Sequence, residues 1–391
     1  MSHPRRHDID ALRALAFGLL ILYHLGMYFV AGWPWHLKSP HAAEWLRWPM
    51  QFVNIWRMDL VFLVSGIAFG FLSKNATTWR LIGQRAWRLL LPLVFGMVVV
   101  VSFQAYAEGV DKGRIAPGFG AFMLRYLAGG PWPKDAFAGS DFGITWMHLW
   151  YLPYLFCYSV LLAVLRPAAQ RVRPAFNGLR GWKLKLLPAL PLLLYGLVLA
   201  PRFPATHDLL HDGYLHALYF TVFVYGYWMG TDTGLWAELM RLRHRALALA
   251  LMLAALFFAL RALPLELPWL LRVLRALYLW SALVAILGLA HRYLNRPWPW
   301  LGWANESVYP WYMLHQTLII AGAVVLARWQ LGPVADPLAL LLFTVLGCWL
   351  LTDGLIRRLR WLRPLFGLKP VEHRPQRKPP GPVPVYLGSG E

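Results

Sequence analysis

The sequence predicts an all-α fold: a polytopic transmembrane helical bundle of about ten spans, with both termini cytoplasmic. Three observations carry the prediction. The 391 residues are 59% hydrophobic and only 14% charged, too few charges to solvate a soluble chain of this length. Apolar runs of about 20 residues, enough to cross a bilayer as helix, recur along the chain. The basic residues are also unevenly placed. With the N-terminus inside and the spans alternating, inside segments carry 25 Lys and Arg and outside segments 9, the bias that orients membrane helices. The net charge of +20 is then a topology signal that also meets acidic lipid. The bilayer is the expected partner and nucleic acid is not.

In chain order the expected spans are about 11–31, 52–73, 89–107, 146–165, 186–201, 214–230, 246–263, 270–291, 306–327 and 338–356. No small-residue cleavage site follows the first, so it is expected to remain in place. The fifth, LLPALPLLLYGLVLAP, is short and proline-rich. The longest outside segment, about 108–145, is rich in Gly, Pro and aromatics, and GFGAFMLRYLAGGPW within it suits the membrane interface. Residues 1–368 are expected to form one membrane domain. Residues 369–391 form a Pro-rich, basic tail whose composition predicts disorder. Cys157 and Cys348 both fall in apolar runs and give no disulfide framework.

Ionisable residues inside spans cost about 2.5–3.5 kcal/mol each on insertion scales and invite a functional reading. On the first span Arg13 and His24 are eleven residues apart, almost three helical turns, which puts them on one face about 16 Å apart. Asp10 and Tyr28 extend that polar seam, which must face a cavity or other helices. On the second span Asp59 matches His24 in depth, with Arg57 close by. Positions i and i+2 point apart, so one of the two is expected to meet His24 while the other finds a different partner; the alternative is that Arg57 and Asp59 contribute to helix packing alone. Ser65-Gly66 fits either close helix packing or a ligand against bare backbone.

Arg85 and Arg88, three apart on the approach to the third span, form a fork for anionic oxygens such as phosphate, although topology alone also asks for arginines there. On the ninth span Asn305, Tyr309, Tyr312 and Gln316 form one stripe beside His315, which is expected about 14 Å in from the cytoplasmic side in either a structural or a catalytic role. His148 and Trp150 stand near the outer end of the fourth span, where aromatics serve as belt residues or as a sugar platform. No metal motif, nucleophile elbow or phosphate loop is present, and no metal is expected.

Together these features resemble the acyltransferase-3 family of integral membrane acyltransferases. Arg13 and His24, with ten residues between, resemble its R-x10-H motif. Phe62 to Gly66 is similar to its F-x-x-S-G pattern, Arg85-Ala-Trp-Arg88 with Pro92 to its R-x-x-R segment, and NESVYPWYMLH to a late segment ending Y-x-x-H. The order and spacing agree along nearly the whole chain, and RLLLPLVFGMVVVV and MHLWYLPYLFCY look most like the branch associated with succinylation of periplasmic glucans. The resemblance implies an O-acyltransferase of the bacterial cytoplasmic (inner) membrane. It would move succinyl or acetyl from cytoplasmic acyl-CoA, a donor substrate and not a bound cofactor, to a hydroxyl of an extracytoplasmic glycan or glycolipid. His24, Arg13, Asp59 and Arg57 would be catalytic, Arg85, Arg88, Ser65 and Gly66 would hold the donor, and His315, Tyr309, His148 and Trp150 would hold the acceptor. The rival readings are a transporter or flippase using the same seam and a non-catalytic partner in glycan assembly.

Overall fold

Among the described residues the long helical stretches fold back and forth, and their helical form follows from what lipid demands of a backbone. With no water available, every amide must bond within its own segment. The computed structural model describes residues 6–230, 232–264 and 266–370, and the described secondary structure is helical apart from one bridge, Val30 to Ala43. The helices are α1 (His7–Phe29), α2 (Arg57–Ser73), α3 (Thr78–Asp111), α4 (Tyr151–Asn177), α5 (Ala189–Val198), α6 (Gly213–Met229), α7 (Thr233–Ala262), α8 (Pro268–Tyr293), α9 (Leu301–Leu326) and α10 (Ala335–Trp349). Nine helical stretches are long and apolar enough to cross a membrane among the described residues. The tenth expected span is α6, which at 17 residues rises about 26 Å. The predicted all-α bundle is what the structure shows. The tail beyond Pro370 lies outside the described residues.

The bundle is inside out relative to a soluble protein. Leu15 and Leu22 of α1, Val94 and Val99 of α3, and Leu342 and Leu346 of α10 are exposed, while Asp8, Asp59, Gln104, Glu108 and His315 are buried. Apolar side chains on the outside meet lipid at no cost, so contact between helices must come from close packing and hydrogen bonds. Glycines supply the first. A Cβ on Gly66 of α2 would lie 1.9 Å from the carbonyl oxygen of Phe223, and one on Gly226 of α6 would lie 2.0 Å from that of Leu63. The two glycines therefore let α2 and α6 run parallel with their backbones touching. Phe62 stacks on Tyr219 there, their ring centres 4.7 Å apart. The bare backbone at Gly66 is filled by α6, so of the two readings of Ser65-Gly66 the helix-packing one holds at the glycine, and no ligand reaches it.

Two breaks in regular helix matter for the site. In α3 the turn Gly96–Val100 widens to i→i+5 bonding, which leaves carbonyls free for side chains. The Tyr126 hydroxyl donates to Met97 at 3.1 Å and the Thr317 hydroxyl to Val100 at 2.9 Å. The expected fifth span starts earlier than predicted, as a short helix Gly181–Leu186 followed by α5. The aromatic stretch after α3 forms a helix, Phe119–Leu127, that packs on Trp132 and Phe137.

The first turn of α1 and residues 357–370 share one end of the bundle, here the terminal end. Arg6 lies 3.9 Å over Trp236, Asp8 meets His291 at 2.8 Å, and Arg363 meets Glu306 at 2.8 Å. At the opposite, distal end, Lys38 caps α1 by donating to the carbonyls of Met27 and Val30 at 2.6 and 2.8 Å, the placement a helix C-terminus favours for a cation. Burial pulls that ammonium down to about 8.

The glycine contact is open to test by thermal unfolding in detergent. Gly66→Ala is expected to cost about 1–3 kcal/mol by overpacking. Gly83→Ala, with open space around it, is expected to be neutral or to stabilise by about 0.5–1 kcal/mol as a helix-interior replacement.

Candidate active site

The seam on α1 sets out the site. Arg13, Phe17, Leu20 and His24 follow i, i+4, i+7 and i+11 and share one face. The lipid-facing Leu15 and Leu22 lie on the other. At the terminal end Arg13 donates from Nη2 to Asn305 Oδ1 at 2.7 Å and lies 4.0 Å from Asp10. Toward the distal end His24 Nδ1 lies 2.9 Å from His315 Nε2. The first and ninth helices are thus joined at both ends of the seam.

The backbone settles the protons in the histidine pair. His315 Nδ1 is 3.0 Å from the Trp311 carbonyl, and a carbonyl only accepts. His315 therefore carries its proton on Nδ1 and presents a lone pair at Nε2. His24 must donate from Nδ1, which leaves the lone pair of neutral His24 on Nε2. His24 lines a cavity of about 810 Å³ together with Tyr23, His36, Arg57, Trp150, His207 and Arg275. His315 does not line it and is fully buried.

A second network, fixed in the same way, forms the wall beside His24. His148 Nε2 donates to the carbonyls of Tyr312 and Met313, both at 3.1 Å, so its Nδ1 accepts from the Gln104 amide at 3.2 Å. Gln104 also donates to Thr317 at 2.6 Å and accepts from Gln316 at 3.0 Å. Gln316 donates to His36 Nε2 at 2.9 Å, and His36 Nδ1 donates to Glu108 at 2.5 Å. The second Glu108 oxygen takes Lys112 at 2.6 Å and the Ala138 amide at 3.1 Å. A buried polar chain is an asset only when every member is satisfied. This one is, and it ties α3, α9 and the loops at 36 and 138 together.

At the terminal end a separate cavity of about 610 Å³ is lined by Arg85, Arg88, Gln84, Gly367 and Lys369, among others. Arg85 is 8% exposed, and its Nε and Nη2 are buried without a hydrogen-bond partner. Unpaired guanidinium donors under 10% exposed fit an anion that supplies the missing acceptors. The wall from Pro364 to Lys369 is fastened by Arg363, which donates to Glu306 and to the Lys369 carbonyl at 2.9 Å. Gly367, at φ +67°, faces the ring of Tyr309 with no room for a Cβ. Phe17, Tyr151 and Tyr312 meet between the two cavities, with ring centres 5.4–6.1 Å apart. Ser65 braces them through the Tyr151 hydroxyl at 2.5 Å.

Several expectations change here. Neither Asp59 nor Arg57 is the hydrogen-bond partner of His24, because depth fixes only one coordinate and the azimuth of α9 brings His315 there instead. Helix α9 begins at Leu301, five residues before the expected start. That raises His315 from about 14 to about 21 Å above the helix start, to the level of His24. Arg57 stacks 3.4 Å over Tyr23 and donates to Asn54 at 2.9 Å. Asp59 is buried, and Arg275 is the principal cation acting on it. Of the four expected acceptor residues, His148 and Trp150 line the His24 cavity. His315 stands behind His24, and Tyr309 is at the terminal end, where its hydroxyl donates to the Arg88 carbonyl at 3.1 Å.

Sequence reasoning missed His36, Glu108, Gln104 and His207, and registered Arg275 only as a charge inside a span. His207 packs its ring 4.3 Å from that of Trp150, and burial holds its imidazole below the ordinary range. Burial opposes ionisation of the adjacent Asp208, but hydrogen bonds from His211, Thr206 and Leu210 hold its carboxyl at about 2.

Glu108→Ala would leave His36 Nδ1 and the Ala138 amide without their acceptor and Lys112 with the Asp135 carbonyl alone. Unfolding in detergent is expected to show a loss of about 3–5 kcal/mol, as for a broken buried pair. The exposed Glu44–Arg47 pair is the control, and Glu44→Ala is expected to cost less than about 1 kcal/mol.

The acyltransferase-3 family, described as an acyltransferase domain, matches residues 6–353. No curated protein and no solved structure matches the chain. The family match spans α1 through α10 and covers both cavities except the segment from Pro364 to Pro370, and on that extent the chain belongs to the acyltransferase-3 family of multi-pass membrane acyltransferases.

Proposed function

We propose that this protein is an O-acyltransferase of the bacterial cytoplasmic membrane that moves an acyl group from cytoplasmic acyl-CoA to a hydroxyl of an extracytoplasmic glycan or glycolipid. The observation that carries the reading is the lone pair on His24 Nε2, left free by the bond to His315, in a residue that lines a cavity together with Arg57, Arg275, Trp150 and His207. With both termini cytoplasmic, the Arg85 cavity opens to the donor pool and the His24 cavity to the acceptor.

The chemistry needs a base, an oxyanion site and a grip on the donor. His24 Nε2 takes the proton of the acceptor hydroxyl as its oxygen adds to the thioester carbonyl. His315 holds the ring by accepting from Nδ1 throughout. The tetrahedral oxyanion draws on the Arg57 guanidinium, stacked on the neighbouring Tyr23. As the intermediate collapses, the carbon–sulfur bond breaks and the proton on His24 Nε2 passes to the departing coenzyme A sulfur. The same nitrogen also serves as nucleophile in the acyl-histidine version. Arg85, Arg88 and Lys369 hold the phosphates at the donor mouth, and Arg13 guides the arm. That arm reaches His24 by parting the Phe17, Tyr151 and Tyr312 rings. Succinyl transfer to a periplasmic glucan is one version of this reading and acetyl transfer to another glycan is a second.

Purified protein with labelled acyl-CoA tests the chemistry. His24→Ala is expected to lower transfer by about 10²–10⁴-fold with the unfolding midpoint unchanged, and transfer at the wild-type rate sinks the mechanism. Arg85→Ala combined with Arg88→Ala is expected to weaken coenzyme A binding about 10–100-fold, the loss of charge-assisted bonds. A donor affinity equal to wild type removes the phosphate role.

A further inference from the structure

The His24 cavity holds a second guanidinium beside the one the transfer step draws on. Arg57 from α2 and Arg275 from α8 both line it. Arg57 has one hydrogen bond, to Asn54, and its Nε is buried without a partner. Arg275 faces the Tyr214 ring at 5.9 Å, and no hydrogen bond links it to any described residue. Against these two guanidiniums the spans offer one carboxylate nearby, Asp59, 2% exposed, whose Oδ1 is itself unpartnered. The cavity's other acids are in loops. Asp208 is committed to His211 and the Leu210 amide, and Asp141 is exposed at the rim.

Two cations against one anion leave a net positive charge in the membrane-embedded part of a cavity large enough for a sugar. Such a charge is costly unless paired, and a guanidinium with open donors matches the two oxygens of a carboxylate or phosphate. We propose that Arg57 and Arg275 form an anion subsite in the His24 cavity, taking a carboxylate or phosphate carried either on the acyl chain or on the acceptor glycan. The subsite deepens the acyl-transfer reading and rests on it for the identity of its ligands. It selects charged over uncharged substrates, and Trp150 and His207 form the flat wall beside it.

Binding by the full-length protein in detergent tests this without any transfer step. In the donor arm, dissociation constants are measured for two inert thioether analogues of acyl-CoA of equal length, one ending in a carboxylate and one in a methyl group. In the acceptor arm, glucuronate is compared with glucose, and glucose 6-phosphate with glucose. The charged ligand is expected to bind about 10–100-fold tighter in one arm, which also says which substrate carries the anion. Arg275→Gln is expected to erase that preference and leave the uncharged ligand's affinity as it was, while Arg275→Lys keeps part of it. Arg57→Gln gives the same comparison if Arg275→Gln does not fold. Equal affinities for charged and uncharged ligands in both arms, or a preference that survives both Gln variants, overturns the subsite. A charge preference without any labelled transfer leaves the subsite standing and removes the acyl-transfer reading. Transfer without a charge preference does the reverse.

Discussion

The hydrogen bond between His24 and His315 is the constraint on which the site depends. It joins the first and ninth spans at a depth where lipid offers no substitute partner, and it sets the direction in which protons can be passed. Because the Trp311 carbonyl takes one His315 proton, the pair has one consistent neutral arrangement, and that arrangement leaves the free lone pair of His24, a residue lining the cavity, on Nε2. A carboxylate in the place of His315 would hold the ring as firmly but would add a full negative charge to a cavity proposed to receive an acyl group and an anion. A neutral imidazole orients without adding charge. The neighbouring His36, His148, Gln104 and Gln316 repeat the principle: neutral groups whose donors and acceptors are matched one to one.

The scaffold around the pair meets a second demand. Helices in lipid gain little from apolar contact, so the bundle brings backbones together at Gly66 and Gly226 and spends its polar groups on interhelical bonds. The α2–α6 pair is packed without space for a methyl group, which fixes Arg57 and Asp59 at the start of α2 relative to Tyr219 on α6. The Arg57 side of the cavity wall is thus held by two glycines, the nearer on α2 roughly two to three turns away.

Much of this was legible in the sequence because lipid is a severe solvent. Runs of apolar residues give the helices, and the eleven-residue step from Arg13 to His24 gives the seam, since both follow from rise and pitch alone. What the sequence withheld was azimuth. Depth put Asp59 level with His24, but a residue's level says nothing of which neighbour it turns toward, and α9 supplied His315. His36 and Glu108 were invisible for a different reason. Both sit at the edges of spans, where a His or Glu is unremarkable, and only the return of the loop over α3 brings them within 2.5 Å. The Arg85 cavity needed the segment from Pro364 to Pro370, which carries no motif.

The Phe17, Tyr151 and Tyr312 cluster has a consequence for the cell as well as for the reaction. An enzyme with a polar chamber toward each face of an energised membrane is one short gap from being a proton leak. Three rings in edge-to-face contact stand across that gap, and the Ser65 hydroxyl keeps the Tyr151 oxygen occupied. In the proposed cycle the rings part for the thin pantetheine arm, which then plugs the opening it has made. On the proposed mechanism the cluster acts as a gasket, preserving the proton-motive force while two chemical compartments share one bond.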